Sequence, residues 1–146
     1  MLRTINLDIK LETQECMPYR SSQDAAGWDL RSREKDFTLK PGISKEVHTG
    51  LFLELPRHIC AIVLPRSGLG RDYELRLKNT VGLIDPDYRG EIIVHLKTTK
   101  EVTIKQYDRF AQILFLPFIE IVNLRVKEFL SNTDRGEAGF GASGVE

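Results

Sequence analysis

Short apolar runs broken by turn-forming residues about every ten positions constrain this chain more than any other feature, because that rhythm suits sandwiches and barrels and leaves no room for long helices. Leu2 to Leu11 alternates, with Leu7, Ile9 and Leu11 on one face and Asp8, Lys10 and Glu12 on the other, which predicts a half-buried first strand. Met17 to Ala26 is polar and irregular. Gly27 to Ser32 predicts a short strand, and Phe37 to Leu39 ends at the turn Pro41-Gly42. Val47 to Leu55 stops at Pro56, and His58 to Leu64, whose β-branched content disfavours helix, stops at Pro65.

Pro65 to Gly70 is a glycine-bearing break, and the charged segment Arg71 to Lys78 predicts the one short helix. Ile92 to Lys97 and Val102 to Ile104 read as strands joined by a turn at Thr98 to Glu101. Arg109 to Phe118 is the most apolar stretch and is expected to be the most buried strand. Val122 to Phe129 sets Val122, Leu124 and Val126 against Asn123, Arg125 and Lys127, which predicts a final strand. The sum is an all-β chain of roughly ten strands with no internal repeat, a barrel or jelly roll.

A chain of 146 residues suits one domain with one core. Lysine plus arginine and aspartate plus glutamate both total 21, so no broad attraction to nucleic acid or to an anionic membrane is expected, and any anion must be held locally. Cys16 and Cys60 have no paired spacing and suit a reducing compartment. No apolar run approaches the ~20 residues that span a bilayer, and no targeting segment is legible. A soluble protein of the cytoplasm, or of a host's cytoplasm if viral, is the expectation.

Two stretches point to chemistry. In Gly82 to Glu91 an apolar run meets the turn Asp85-Pro86-Asp87-Tyr88 before Ile92, Ile93 and Val94 resume an extended run, a pattern that predicts a β-hairpin. The mouth of such a hairpin can hold a small planar ligand, with backbone groups reading its edge, Tyr88 covering a face and one acid acting as base; a solvated acidic turn is the plainer alternative. Arg135 to Gly144 has four glycines, one arginine and one aromatic, and is expected to be mobile without a ligand. Its backbone N–H groups and Arg135 suit phosphate, and Phe140 suits stacking on a base, against the alternative of a frayed tail. Arg66-Ser67-Gly68 and Arg109 with Gln112 add further phosphate chemistry, and Asn79 carries the donor and acceptor that match a uracil edge.

In order and content, Ala25 to Leu30, Pro65 to Leu69, Asn79 to Glu91, Asp108 to Ile113 and Arg135 to Gly144 resemble the five motifs of the trimeric dUTP diphosphatases (dUTPases). The resemblance spans nearly the whole chain. It implies a jelly-roll-like β-barrel over residues 1–131, a flexible glycine-rich tail over 132–146 that closes over the nucleotide, and a homotrimer with shared interface active sites. It also implies hydrolysis of dUTP to dUMP and pyrophosphate, which keeps dUTP low and supplies dUMP for dTMP synthesis. Carried over, Asp85 is the base for the water that attacks the α-phosphorus. Arg66, Ser67, Gly68, Gln112, Arg135, Gly141 and Ser143 hold phosphate. Asn79, Gly82, Leu83, Ile84 and Ile93 read uracil, excluding cytosine by mismatched donors and thymine by its methyl group. Tyr88 lies beneath the deoxyribose and Phe140 stacks on the base. Mg²⁺ would arrive with the phosphates, Asp29 touching its water shell.

The chain departs from that pattern in places. Trp28 stands where tyrosine is usual, Gly70-Arg71 where alanine and lysine follow, Tyr107 where glycine precedes Asp108, and Ala138 and Ala142-Ser143 replace glycine and Ser-Thr in the tail. Weaker tail closure with retained chemistry is expected. A dCTP deaminase shares the fold and the Ile-Asp-Pro turn, but needs a glutamate base where this chain has His95. A nucleotide-binding regulatory protein without turnover would not need Asp85. Trp28, Phe52, Phe115 and Phe118 read as core or interface residues.

Overall fold

The computed structural model describes residues 4–139. Ten strands are described: β1 (Asp8–Leu11), β2 (Trp28–Arg31), β3 (Phe37–Leu39), β4 (Ser44–Glu54), β5 (Ile59–Pro65), β6 (Arg76–Leu77), β7 (Gly82–Ile84), β8 (Glu91–Lys97), β9 (Val102–Ile104) and β10 (Arg109–Pro117). A single helix, α1 (Ser67–Tyr73), and a 3-10 turn at Gln14–Cys16 complete the regular elements among the described residues. Every strand pair is antiparallel. One sheet runs β1-β4-β8-β6, a second runs β2-β10-β5-β7, and β3 with β9 forms a two-stranded ribbon.

The alternation of the long strands explains why these sheets close on each other. Val47, Leu51 and Leu53 of β4 and Ile92, Val94 and Leu96 of β8 meet Ala61 and Val63 of β5 and Phe110, Ala111 and Ile113 of β10 in one buried cluster. Burying apolar surface at about 25 cal/mol per Å² is the main force holding these layers together. The jelly-roll-like all-β architecture read from the sequence is the observed one.

Four local expectations are corrected. The helix begins at Ser67, not Arg71, and stops at Glu74, which adopts left-handed φ of 53°. Leu75 and Leu77 are buried and alternate with exposed Arg76, so that this segment pairs with β8 as β6 instead of extending the helix. Gly82 to Glu91 is not a β-hairpin ladder, because β7 pairs with β5 while β8 pairs with β4 and β6. Val122 to Phe129 forms no strand: Val122, Leu124 and Val126 are 79%, 89% and 100% exposed, and among the described residues no strand pairs with them. Finally, β4 is more deeply buried than β10, whose Leu114 to Leu116 are only half covered. Trp28 and Phe115 do pack against the core, whereas Phe118 is exposed.

Candidate functional site

The turn between β7 and β8 is built as its residues demand. Proline at the second position supplies φ, and the Tyr88 N–H closes the turn on Asp85 O at 3.1 Å. Because the flanking strands belong to different sheets, they diverge, and a cavity of about 170 Å³ opens between them. Leu83, Ile84, Asp85, Tyr88, Glu91 and Ile93 line it. β7 is the edge of its sheet, so the backbone groups on its outer side have no ladder partner. Across the gap, β6 pairs with β8 at Leu96 and Lys97 and the Lys78 N–H reaches His95 O at 2.7 Å, which leaves the stretch from Glu91 to Ile93 uncovered on that side. A planar ligand can therefore find backbone donors and acceptors along its edge.

Tyr88 is held in place from two sides. Its hydroxyl donates to Glu91 O at 3.0 Å, and its ring lies across Gly90, where a Cβ would fall 2.5 Å from Tyr88 Cζ. Glu91 is anchored in turn. Its carboxylate meets His48 Nδ1 at 2.7 Å and accepts the Gly50 N–H at 2.8 Å, with Arg33 Nε at 3.9 Å. Burial pushes the Glu91 carboxyl up, but the His48 bond, the Gly50 N–H and the nearby Arg33 outweigh it and hold the group below its ordinary value.

A second cluster lies where β2, β10 and the start of α1 meet. Arg66 Nε donates to Asp29 Oδ1 at 3.1 Å and Arg109 Nη1 donates to Asp29 Oδ2 at 3.2 Å, so one carboxylate holds two guanidinium groups. Arg66 also reaches Arg109 O at 2.9 Å, and the Arg109 guanidinium lies 4.5 Å over the Tyr19 ring. Gln112 is paired in register with Asp29, and its Nε2 donates to Pro65 O at 2.8 Å. Ser67 and Gly68 form the first turn of α1, exposed beside Arg66. Cavities of about 250 and 350 Å³ flank Arg66 on its Arg109 and Ser67 sides. Two positive side chains over small residues suit an oxyanion ligand.

Tyr107, in the turn that leads to Arg109, adopts φ of 65°, a left-handed conformation that glycine takes without cost. Its N–H bonds Ser32 O at 2.6 Å and its carbonyl accepts Arg31 Nη1 at 3.0 Å, and these contacts hold the strained turn on β2.

Of the residues expected to act together, the structure gathers Leu83, Ile84, Asp85, Tyr88 and Ile93 around one cavity and Asp29, Arg66 and Gln112 around another cluster. The two groups share no lining residue. Gly82 packs against Val63 and Leu77 below the first cavity. Asn79 is exposed in the preceding turn, its carbonyl accepting the Val81 N–H, and Arg135 is exposed with Nε on Ala138 O. Phe140, Gly141 and Ser143 lie outside the described residues. Arg109 is where the sequence puts phosphate chemistry beside Gln112, whereas Glu91 and Tyr19 carry no such signal in the sequence. Among the described residues no group of three or more His, Cys, Asp or Glu converges as a metal cage, and no helix is long and apolar enough to cross a membrane.

The fold and these two clusters define an all-β barrel with one pocket fit for a planar ligand and another surface fit for phosphate. Comparison with known proteins gives the family: the dUTPase model matches residues 13–144, and the chain belongs to the dUTPase family. It is 39% identical over 146 residues to the deoxyuridine 5'-triphosphate nucleotidohydrolase of Escherichia phage T5, covering 94% of this chain and 98% of that protein. The protein of that description from Actinobacillus succinogenes is 39% identical over 142 residues, covering 94% and 93%. The dUTPase of Staphylococcus bacteriophage 80alpha, solved with dUPNHPP, superposes with a TM-score of 0.84 at 26% identity over 97% of this chain and 100% of that one.

Proposed function

We propose that the protein hydrolyses dUTP to dUMP and pyrophosphate, so keeping dUTP low and supplying dUMP. The observation that carries this reading is the cavity between β7 and β8, in which Asp85 and Tyr88 lie beside free backbone edges in a chain whose relatives are named as deoxyuridine triphosphate nucleotidohydrolases. Backbone groups of Gly82, Leu83, Ile84 and Ile93, with Asn79, read uracil. Tyr88 covers the deoxyribose. Asp85 holds the attacking water in line and takes its proton; a carboxylate is a weak base, so positioning is its larger contribution.

Arg66, Ser67, Gly68 and Gln112 take the phosphates, Arg109 supporting Arg66 through Asp29. Arg135 and the tail over 132–146, including Phe140, Gly141 and Ser143, close over the nucleotide. Mg²⁺ bound by the phosphates would supply charge neutralisation. Asp29 suits an outer role toward it, since each of its oxygens already accepts an arginine and retains a lone pair for a water. The solved dUTPase of S. aureus phage phi11, similar in fold at 20% identity and a TM-score of 0.77, is described with a structural Mg(II) ion.

The protein works as a homotrimer in this reading. Base and phosphate groups border separate cavities of one chain, and the exposed alternating stretch from Val122 to Phe129 suits pairing on a neighbouring copy. Incubation with Mg²⁺ and dUTP, dCTP, dTTP or UTP, with products separated by chromatography and Asp85→Asn in parallel, tests the reaction. dUMP and pyrophosphate from dUTP alone, lost in the variant, are expected. Deaminated product from dCTP, or dUTP binding without turnover, would overturn the reading.

A further inference from the structure

The ladder between β4 and β8 is interrupted beside the cavity. His48 pairs with Ile93 and Phe52 with Glu91, so four steps on β4 face two on β8 and residues 49–51 bulge out. Gly50, at the centre, has φ of 65°, and a Cβ there would fall 2.6 Å from Cys16 Sγ and 3.3 Å from Arg33 Cδ. Side chains take over the broken ladder. Thr49 Oγ1 donates to Ile92 O at 2.6 Å and accepts the Leu51 N–H at 3.2 Å, while Glu91 accepts the Gly50 N–H and meets His48 Nδ1. Gly50 O accepts the Glu12 N–H at 2.9 Å, and Glu12 pairs with Arg33.

Glu91 thus has two attachments. Its side chain is fixed to the bulge of β4, and its main-chain carbonyl, on the cavity side, holds the Tyr88 hydroxyl. We propose that Glu91 is a positioning residue for the reaction: its carboxylate, clamped by His48 and the Gly50 N–H, fixes the wall of the base pocket and, through its own carbonyl, the Tyr88 ring. The inference rests on the reading of this cavity as the base and sugar pocket. It assigns Glu91 no contact with the reacting atoms. The clamp matters because β7 hangs from β5, and past the single pair of Phe52 with Glu91 the regular ladder between β8 and β4 is broken, so the side chains of Glu91 and Thr49 carry the attachment there.

Steady-state kinetics on the full-length protein with dUTP and UTP test this in Glu91→Ala, Glu91→Gln and His48→Ala. Glu91→Ala should raise the KM for dUTP about tenfold or more, as expected for loss of hydrogen bonds to a charged group, with kcat changed by less than about threefold. The preference for dUTP over UTP should narrow, because the main-chain carbonyl that holds the Tyr88 hydroxyl is no longer fixed to β4. Glu91→Gln keeps an oxygen for the Gly50 N–H and should recover part of the loss; His48→Ala should fall between. A purely structural role would lower the melting temperature and leave KM and sugar preference where they were, and that result in folded protein overturns the proposal. Should Glu91→Ala fail to fold, Glu91→Gln and His48→Ala decide it by the same two readouts. If the wild type binds dUTP without turning it over, the reaction falls but the clamp does not, and a rise in dUTP Kd in the variants then stands in for KM. A wild type without affinity for dUTP overturns both readings.

Discussion

Gly27 and Gln112 leave no room between them: a Cβ on Gly27 would fall 2.7 Å from Gln112 Oε1. Gln112 is pinned on its other side by the Pro65 carbonyl. Gly27→Ala should therefore swing the Gln112 amide away from the phosphate cluster, with kcat/KM for dUTP falling about tenfold, or about 1.4 kcal/mol. Kinetics alongside thermal melting check it, and an unchanged kcat/KM would mean that Gln112 has no part in the phosphate site.

Asp29 bridges Arg66 and Arg109 with its side chain only 13% exposed. Asp29→Asn keeps the shape and removes the charge. Because the two arginines are about a third exposed, the loss of stability should be modest, about 1–2 kcal/mol. Urea unfolding measures that loss, and dUTP kinetics should show a higher KM as Arg66 wanders. A variant as stable and active as the wild type would remove Asp29 from the arginine scaffold.

Gly90→Ala should displace the Tyr88 ring, which a new methyl would strike at 2.5 Å from Cζ. Tyr88 is 43% exposed and can rotate outward, so stability should fall by less than about 1 kcal/mol. The rate on UTP relative to dUTP should rise. Unchanged sugar preference would count against Tyr88 as the sugar platform.

The Glu91 carboxyl is held low despite its burial, by His48, the Gly50 N–H and Arg33. A group whose pKa is depressed on folding contributes stability above its unfolded value, near 4.5, and loses it as pH falls through the folded value. The stability difference between wild type and Glu91→Gln should accordingly be full at neutral pH and shrink in acid. Urea titrations at a series of pH values report it; a difference constant from neutral pH to below 4 would contradict the assignment.

The exposed stretch from Val122 to Phe129 predicts association. Sedimentation should give a mass three times the 16.7 kDa of one chain, and Leu124→Asp with Val126→Asp should reduce it. A monomeric wild type would sink the proposed assembly.

The strands of the core were legible because burial on one face leaves a period of two, as in Val47 to Leu55 and Ile92 to Lys97. Arg71 to Lys78 misled because a charged run looks helical while Leu75 and Leu77 are in fact drawn to β8 by their burial. The apparent hairpin at Gly82 to Glu91 misled for a different reason: sequence shows that two strands flank a turn, but not that each has a better partner elsewhere. That Asp85 and Tyr88 would face a shared cavity was legible from the turn chemistry. The anchoring of Glu91 was not, since its carboxylate bonds to His48 and Gly50, more than forty positions away.

The two walls of the small cavity belong to separate sheets, so its width is the spacing between those sheets. That spacing is set by the volume of the side chains packed between them, Val63, Leu77 and Val94 among them. On the proposed reading of this cavity, substrate choice in this barrel is written partly in its oil. On that reading a methyl removed from the interior, far from the nucleotide, should act on which base fits as well as on how firmly the barrel holds together.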